Sequence, residues 1–289
     1  MIDTPSVSSQ RRRLLLAMAT ASLLPANARA VSRDTPLRLG LMPVFLDDQF
    51  SFLEQWRRWL ARKLDRPVLF IQRGNYREVI DLLRAGKIDM AWLCGYPYVR
   101  YRHELQLLAV PLWRRRPLYQ SYLIVPHDDK RTQGINDLRG RVFAYSDPDS
   151  NSGFLYPRYL LKSSGENPAT FFSRTFFTWA HRKVVEAVGV GLADGGAVDG
   201  YVWETLAEVR PELTATTRII DRSPFMGHPP FVARRDLPPE DMTLIRATLT
   251  GMAGDDEGRT LLNRLRLDGF VPGDRSLFDG IEKMAREAA

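Results

Sequence analysis

Ser146-Asp147-Pro148-Asp149-Ser150-Asn151-Ser152-Gly153-Phe154-Leu155-Tyr156-Pro157 is the stretch from which the rest of the chain can be read. A short apolar strand, Val142 to Tyr145, runs into it, and a helix over Phe154–Leu161 is expected to leave it. A strand that turns into a helix through small hydroxyl and amide residues aims free backbone N–H groups at one point. The helix dipole adds partial positive charge there. Such a point suits an anion, and Ser150, Asn151 and Ser152 could add side-chain donors. The same residue types also make an ordinary N-cap, so the stretch alone leaves both readings open.

Working outward, strands and helices alternate. Leu37–Leu41, Val68–Ile71, Ile88–Leu93, Leu107–Leu112 and Leu118–Val125 read as strands. Phe50, Leu53, Trp56 and Leu60 recur at helical spacing, so a helix over Asp48–Leu64 is expected, with Trp56 in the core. Asn75 caps a helix that runs through Ala85 and ends at Gly86, and Tyr98–Leu105 reads as a short helix. Beyond the opening stretch, Phe176–Thr178, Ala197–Val202 and Thr217–Ile220 read as strands and Trp203–Arg210 as a helix. His181 starts another helix, Phe231–Ala233 returns as a strand, and the chain from Pro238 reads as three helices. This alternation implies parallel sheets covered on both faces. Two such sets, joined near residues 118–128 and 223–233, imply two lobes with a cleft. Ligands of such sheets bind beyond the carboxyl ends of the strands. The cleft loops are then Met42–Asp47, Arg73–Tyr76, Cys94–Tyr98, Ser146–Gly153, Thr178–His181 and Tyr201–Glu204.

Composition narrows the function. The 289 residues suffice for two lobes, and 44 % apolar with 26 % charged residues is ordinary for a soluble protein. The net charge of +7 is scattered. Its one later run, Arg114–Arg116, reads as a solvated loop rather than a nucleic-acid patch. A single cysteine, Cys94, excludes an intramolecular disulfide and a Cys-based zinc cluster. The four histidines lack ligand spacing, so no metal and no cofactor is expected. Arg11–Arg13, the apolar run Leu14–Leu24 and Ala28-Arg29-Ala30 make residues 1–30 an export signal. The arginine pair is twin-arginine-like, with general secretion as the alternative. A periplasmic protein, soluble after cleavage, follows.

Several segments together resemble a known family: Gly40-Leu-Met-Pro43, Tyr76 through Leu93, Asp147-Pro-Asp-Ser-Asn-Ser-Gly153, and His181 followed by Gly191-Leu-Ala-Asp194. The chain resembles the periplasmic phosphonate-, phosphite- and phosphate-binding proteins of ABC transporters, over nearly all of its length after the leader. The resemblance implies an α/β, two-lobed type-II periplasmic binding protein fold with two crossing hinge strands. One lobe would comprise residues 31–122 and 226–289, the other 123–225. It implies a small anionic ligand, a membrane permease as partner, no nucleic acid, and a monomer. Ser150, Asn151, Ser152 and the following helix N-terminus would hold the oxyanion, with Gly153 permitting close backbone approach. His181 aligns with a pocket histidine, and an aromatic is expected at the Tyr76 loop. Where relatives carry acidic residues for a ligand ammonium, this chain has Tyr201 and His228. A simple aminophosphonate is therefore disfavoured unless Asp199 or Glu204 substitutes.

Each candidate has a plainer reading. Tyr76 and Tyr96 could close over an oxyanion or simply plug the interface between lobes. His181 could be a surface helix start, and Asp147 the head of an Asx turn. Two rival functions stand beside solute delivery. The same fold could feed a membrane sensor kinase or chemoreceptor, for which nothing in the chain discriminates. An enzyme would need a nucleophile, and Cys94 is the only candidate at the cleft, without a base beside it. The chain is read as a binding protein, not an enzyme.

Overall fold

Leu37–Leu41 (β1) forms a strand because Leu37, Leu39 and Leu41 all bury into one core. In this computed structural model the described residues are Met1, 34–42 and 50–288. The expected leader over residues 1–30 and the loop over 43–47 lie outside them. The helix expected from Asp48 is described from Phe50, as Phe50–Leu64 (α1). Val68–Gln72 (β2) and Met90–Trp92 (β3) flank β1, both parallel to it. Between them Tyr76–Arg84 (α2) is capped by Asn75, whose side chain accepts from Glu78 N–H. Gly86, at φ +66°, ends that helical path, a conformation glycine adopts without strain.

Two sheets organise the residues from Pro36 on. The first has six strands and includes Leu105–Leu112 (β4), Phe231–Arg234 (β12) and Gly269–Pro272 (β13), in the order β13-β4-β12-β3-β1-β2. The second has five: Ser121–Pro126 (β6), Val142–Tyr145 (β7), Arg174–Phe177 (β8), Gly195–Asp199 (β9) and Thr217–Arg222 (β10), in the order β10-β6-β9-β7-β8. Leu118–Tyr119 (β5) and Met226–Gly227 (β11) pair antiparallel with each other, and the chain passes between the two sheets through them. This is the two-lobed fold with two crossing strands.

The core of the first lobe is built around Trp56, which is fully buried. Its ring meets Phe70, Trp92 and Phe231 edge-on at 5.4–6.1 Å. In the second lobe His181–Gly189 (α5) lays Val184 and Val188 on β9. Gly196 makes that approach possible, because a Cβ there would lie 2.6 Å from Val184 Cγ1.

Several sequence expectations need correction. The sheets are mixed, not parallel: β12 is antiparallel to β3 and β4, β13 to β4, and β6 to β9 and β10. The chain must return after each crossing, and a return strand beside its neighbour runs the other way. The strand read over Leu118–Val125 is two, divided at Gln120, whose carbonyl accepts from Gly200 N–H. The helix read over Tyr98–Leu105 runs from Gly95 to Tyr101 (α3), leaving Leu105 to start β4. The strand read over Ala197–Val202 stops at Asp199, which caps a helix over Gly200–Val209 (α6). The C-terminal region holds, besides Pro239–Thr250 (α8), Asp256–Leu265 (α9) and Asp279–Glu287 (α10), the strand β13.

Candidate functional site

The loop after β7 is tied down from within. Asp147 Oδ1 accepts from Asp149 N–H at 2.8 Å, the expected Asx turn, and Ser150 N–H donates to Asp147 O at 2.9 Å. Ser150 Oγ accepts from Gly153 N–H at 2.9 Å, so Ser150 is an N-cap. The helix opens with a wide turn over Asn151–Leu155, where Tyr156 N–H reaches the Asn151 carbonyl five residues back, and tightens into Tyr156–Ser163 (α4). Such wide turns gather at functional sites. Two hydroxyls of the loop are left over. Ser146 Oγ and Ser152 Oγ are buried without a hydrogen-bond partner among the described residues. Ser152 Oγ lies near enough to the Tyr119 hydroxyl to favour its ionised form, but not in hydrogen-bonding geometry.

The first lobe grips this loop from the other side. Tyr76 N–H donates to Asp147 Oδ2 at 3.0 Å. Asp149 Oδ1 accepts from Arg77 at 2.8 Å and from Arg100 at 3.1 Å. Asn151 N–H donates to Cys94 Sγ at 3.2 Å, and its Nδ2 to the Tyr119 hydroxyl at 2.8 Å. Ser121 Oγ donates to the Ser152 carbonyl at 2.6 Å.

Beside this contact lies a buried cavity of about 20 Å³, lined by Met42, Tyr76, Cys94, Asp199, Tyr201 and His228, with Trp92, Leu93, Val202 and Pro229 completing the wall. That is room for about one water molecule, so the lobes have closed on it. Cys94 links loop and cavity, as one member of both. The ring of His228 stands between those of Tyr119 and Tyr201, at 5.6 and 5.1 Å, and neither of its nitrogens has a partner in hydrogen-bonding geometry among the described residues. Buried polar atoms in folded proteins nearly always find partners. Among the described residues Ser146 Oγ, Ser152 Oγ, Asn151 Oδ1 and both His228 nitrogens are exceptions.

Burial sets the charges. It pushes His181 and His228 down to about 3, so both are neutral. His181 Nδ1 accepts from Asp199 N–H at 3.1 Å, which puts the ring proton on Nε2 and makes that nitrogen a donor. Burial pushes the Cys94 thiol up to about 11 and holds the phenols of Tyr76, Tyr119 and Tyr201 protonated. Asp199 is pushed up to about 7 by burial, against the helix N–H groups of Tyr201 and Val202 that it caps. Among the described residues no arginine or lysine lines the cavity. Attraction for an anion must come from N–H and O–H groups and the helix end.

Tyr76, Tyr201 and His228 line the cavity, and Asn151 touches it through Cys94. His181 is buried behind it against Asp199 and Gly153. Gly153 is required for a different approach from the one expected: a Cβ there would lie 1.9 Å from Ser146 Oγ and 3.1 Å from the His181 ring. The Tyr201 hydroxyl is spent on the Leu265 carbonyl at 2.5 Å, so the residue offers its ring to the cavity. Tyr96 is absent from the cavity wall; its ring lies under the Arg100 guanidinium at 5.6 Å. Of the two acidic substitutes, Asp199 reaches the cavity, while Glu204 binds Arg114 and the Tyr122 hydroxyl. Tyr119, which meets Asn151, and Trp92, on the cavity wall, went unmarked as site residues in the sequence, as did Ser146 within the opening stretch, because spacing does not show which side chains meet there.

Among the described residues no group of side chains could hold a metal ion, and no helix is long and apolar enough to cross a membrane. Comparison with known proteins agrees with the geometry. Residues 39–278 match the family model of the periplasmic substrate-binding protein of phosphonate ABC transporters. The phosphonates-binding periplasmic protein of Escherichia coli is 26 % identical over 265 residues, 88 % of this chain and 76 % of its own length. The phosphate-import protein PhnD of Mycolicibacterium smegmatis is 25 % identical, over 75 % of this chain and 69 % of its own. Among solved structures, PhnD1 of Prochlorococcus marinus in complex with methylphosphonate superposes with a TM-score of 0.79 at 20 % identity, covering 87 % of this chain and 97 % of that one. With 240 consecutive residues inside the family match, this chain belongs to the periplasmic substrate-binding proteins of phosphonate ABC transporters.

Proposed function

We propose that the chain captures a small phosphorus oxyanion (phosphonate, phosphite or phosphate) between its lobes and delivers it to a membrane permease. The oxyanion is held by Ser152 and the N–H groups opening the helix after it, with His181, His228 and the tyrosines Tyr76 and Tyr119 closing around it. The chain works as a monomer in the periplasm after losing residues 1–30. No covalent chemistry is assigned to it, since the Cys94 thiol is held protonated by burial and accepts from a backbone N–H.

The observation that carries this reading is the set of buried groups with no hydrogen-bond partner among the described residues, Ser146 Oγ and Ser152 Oγ in the loop that opens the helix and both His228 nitrogens on the cavity wall. A thermal-shift screen with phosphite, phosphate, methylphosphonate, 2-aminoethylphosphonate, methanesulfonate and a neutral sugar tests it. At a hundredfold excess over Kd a bound ligand adds about 2.7 kcal/mol, a rise of roughly 5–10 °C for a chain of this size. At least one phosphorus oxyanion should give that rise. Stabilisation by the sugar alone would refute the proposal.

A further inference from the structure

Among the described residues Asp199 is the one acidic residue lining the cavity, and it is only 3 % exposed. Its Oδ1 accepts from Tyr201 N–H at 2.8 Å and Val202 N–H at 3.3 Å. Its Oδ2 has no hydrogen-bond partner among the described residues. The groups around it are the phenols of Tyr76, Tyr119 and Tyr201 and the thiol of Cys94, all neutral, and each is made harder to ionise by the Asp199 charge as well as by burial. His181 and His228 are neutral too, and both Asp147 oxygens are already taken by Tyr76 and Asp149 N–H groups. A carboxylate on a residue only 3 % exposed, with no cation beside it among the described residues, is a costly arrangement. A ligand that brings a donor to it removes that cost. A fully ionised ligand instead sets like charges against each other in a dry cavity.

We propose that Asp199 is a ligand-contacting residue that shares one proton with an oxygen of the bound oxyanion. The site therefore accepts a phosphorus oxyanion as a species that still carries a proton. It admits a proton-less anion such as a sulfonate only when Asp199 itself is protonated. Asp199, rather than the loop, then sets the discrimination between phosphorus and sulfur oxyanions, whose shapes are alike. The assignment rests on the oxyanion reading of this cavity and deepens it. Burial pushes Asp199 up to about 7, which keeps the shared proton available near neutral pH.

The test is calorimetric titration of the intact chain and of Asp199→Asn with methylphosphonate and methanesulfonate at pH 8.5, in two buffers of different ionisation enthalpy. Asparagine keeps the Oδ1 acceptor for the cap and places a fixed N–H donor where Oδ2 was, and an unchanged melting profile confirms the fold. In the wild type, methylphosphonate binding should take up about one proton, and methanesulfonate should bind at least tenfold more weakly. In Asp199→Asn the proton uptake should vanish and the preference should shrink at least tenfold. Equal proton uptake in both proteins, or an unchanged preference, overturns the assignment while leaving the oxyanion reading intact. So does a tenfold preference for 2-aminoethylphosphonate that depends on Asp199, because the carboxylate would then pair an ammonium. Absence of binding by methylphosphonate, phosphite and phosphate alike overturns both.

Discussion

Asp149→Ala should open the closed form. Asp149 sits on the second lobe's loop at 2 % exposure, and its Oδ1 accepts from Arg77 and Arg100, both on the first lobe, at 2.8 and 3.1 Å. Burial outweighs both arginines and holds the Asp149 carboxyl above the usual carboxylate range. The arginines are each about two-fifths exposed, at 43 % and 41 %, which screens the pair. Two charge-assisted bonds at the upper end of the usual range would give 3 kcal/mol or more. Screening by solvent and relief of the buried charge offset part of that, leaving about 2 kcal/mol in favour of the closed form. Because ligand binds only where the lobes meet, this loss weakens affinity by up to roughly 30-fold, and by less the more the free protein is already closed. Calorimetry would measure the affinity, and small-angle scattering would report a larger radius of gyration for the ligand-free variant. Asp149→Asn, which keeps one acceptor, should fall between wild type and Ala. Affinity of the Ala variant within twofold of wild type, with unchanged scattering, would refute the view that these ion pairs hold the lobes together.

The loop serines should separate by role. Ser150→Ala removes a helix cap and should cost about 1 kcal/mol of stability, read as a lower melting temperature. Ser152→Ala should leave stability unchanged or raised and weaken oxyanion binding at least tenfold by calorimetry. Gly153→Ala drives a methyl into Ser146 Oγ and should cost about 1–3 kcal/mol, with Ser146→Gly restoring part of it in the double variant under urea. His181 and His228 have folded pKa values of about 3, below the ordinary 6.5. Their neutral burial therefore adds stability fully above pH 6.5 that is lost as pH falls from there toward 3. His228→Gln should make the urea midpoint fall less steeply than wild type between pH 6.5 and 4.

The parts of the fold legible in the sequence were those fixed by local pattern. Apolar alternation marked β1 and β2, Asn75 marked the start of α2, and Gly86 its end. The opening stretch was legible as a strand–loop–helix because Pro148, Gly153 and the hydroxyl residues allow little else. Boundaries inside uniform runs were not. Ala197–Val202 is apolar on both sides of Asp199-Gly200, and that short polar break, which marks the step from β9 to α6, was read through as strand. Asp199 consequently read as a substitute charge rather than as a cap facing the cavity. Gly269–Pro272 is too short to stand out between two helical segments, and its pairing with β4 is a contact across more than 150 residues. The division of labour between Ser150, which caps, and Ser152, which is left free, depends on which hydroxyl meets Gly153 N–H. That is a matter of a single turn, which composition does not encode.

The central claim is that a phosphorus oxyanion sits at the start of the helix after Ser150, inside the closed cleft. A crystal structure of the chain grown with methylphosphonate tests it most directly. The account requires the phosphorus between the two lobes, with one ligand oxygen within hydrogen-bond reach of Ser152 Oγ and another facing Asp199 or His228. Phosphorus density outside the cleft, or a cleft that closes around a different ligand with Ser152 Oγ still unpartnered, would contradict it.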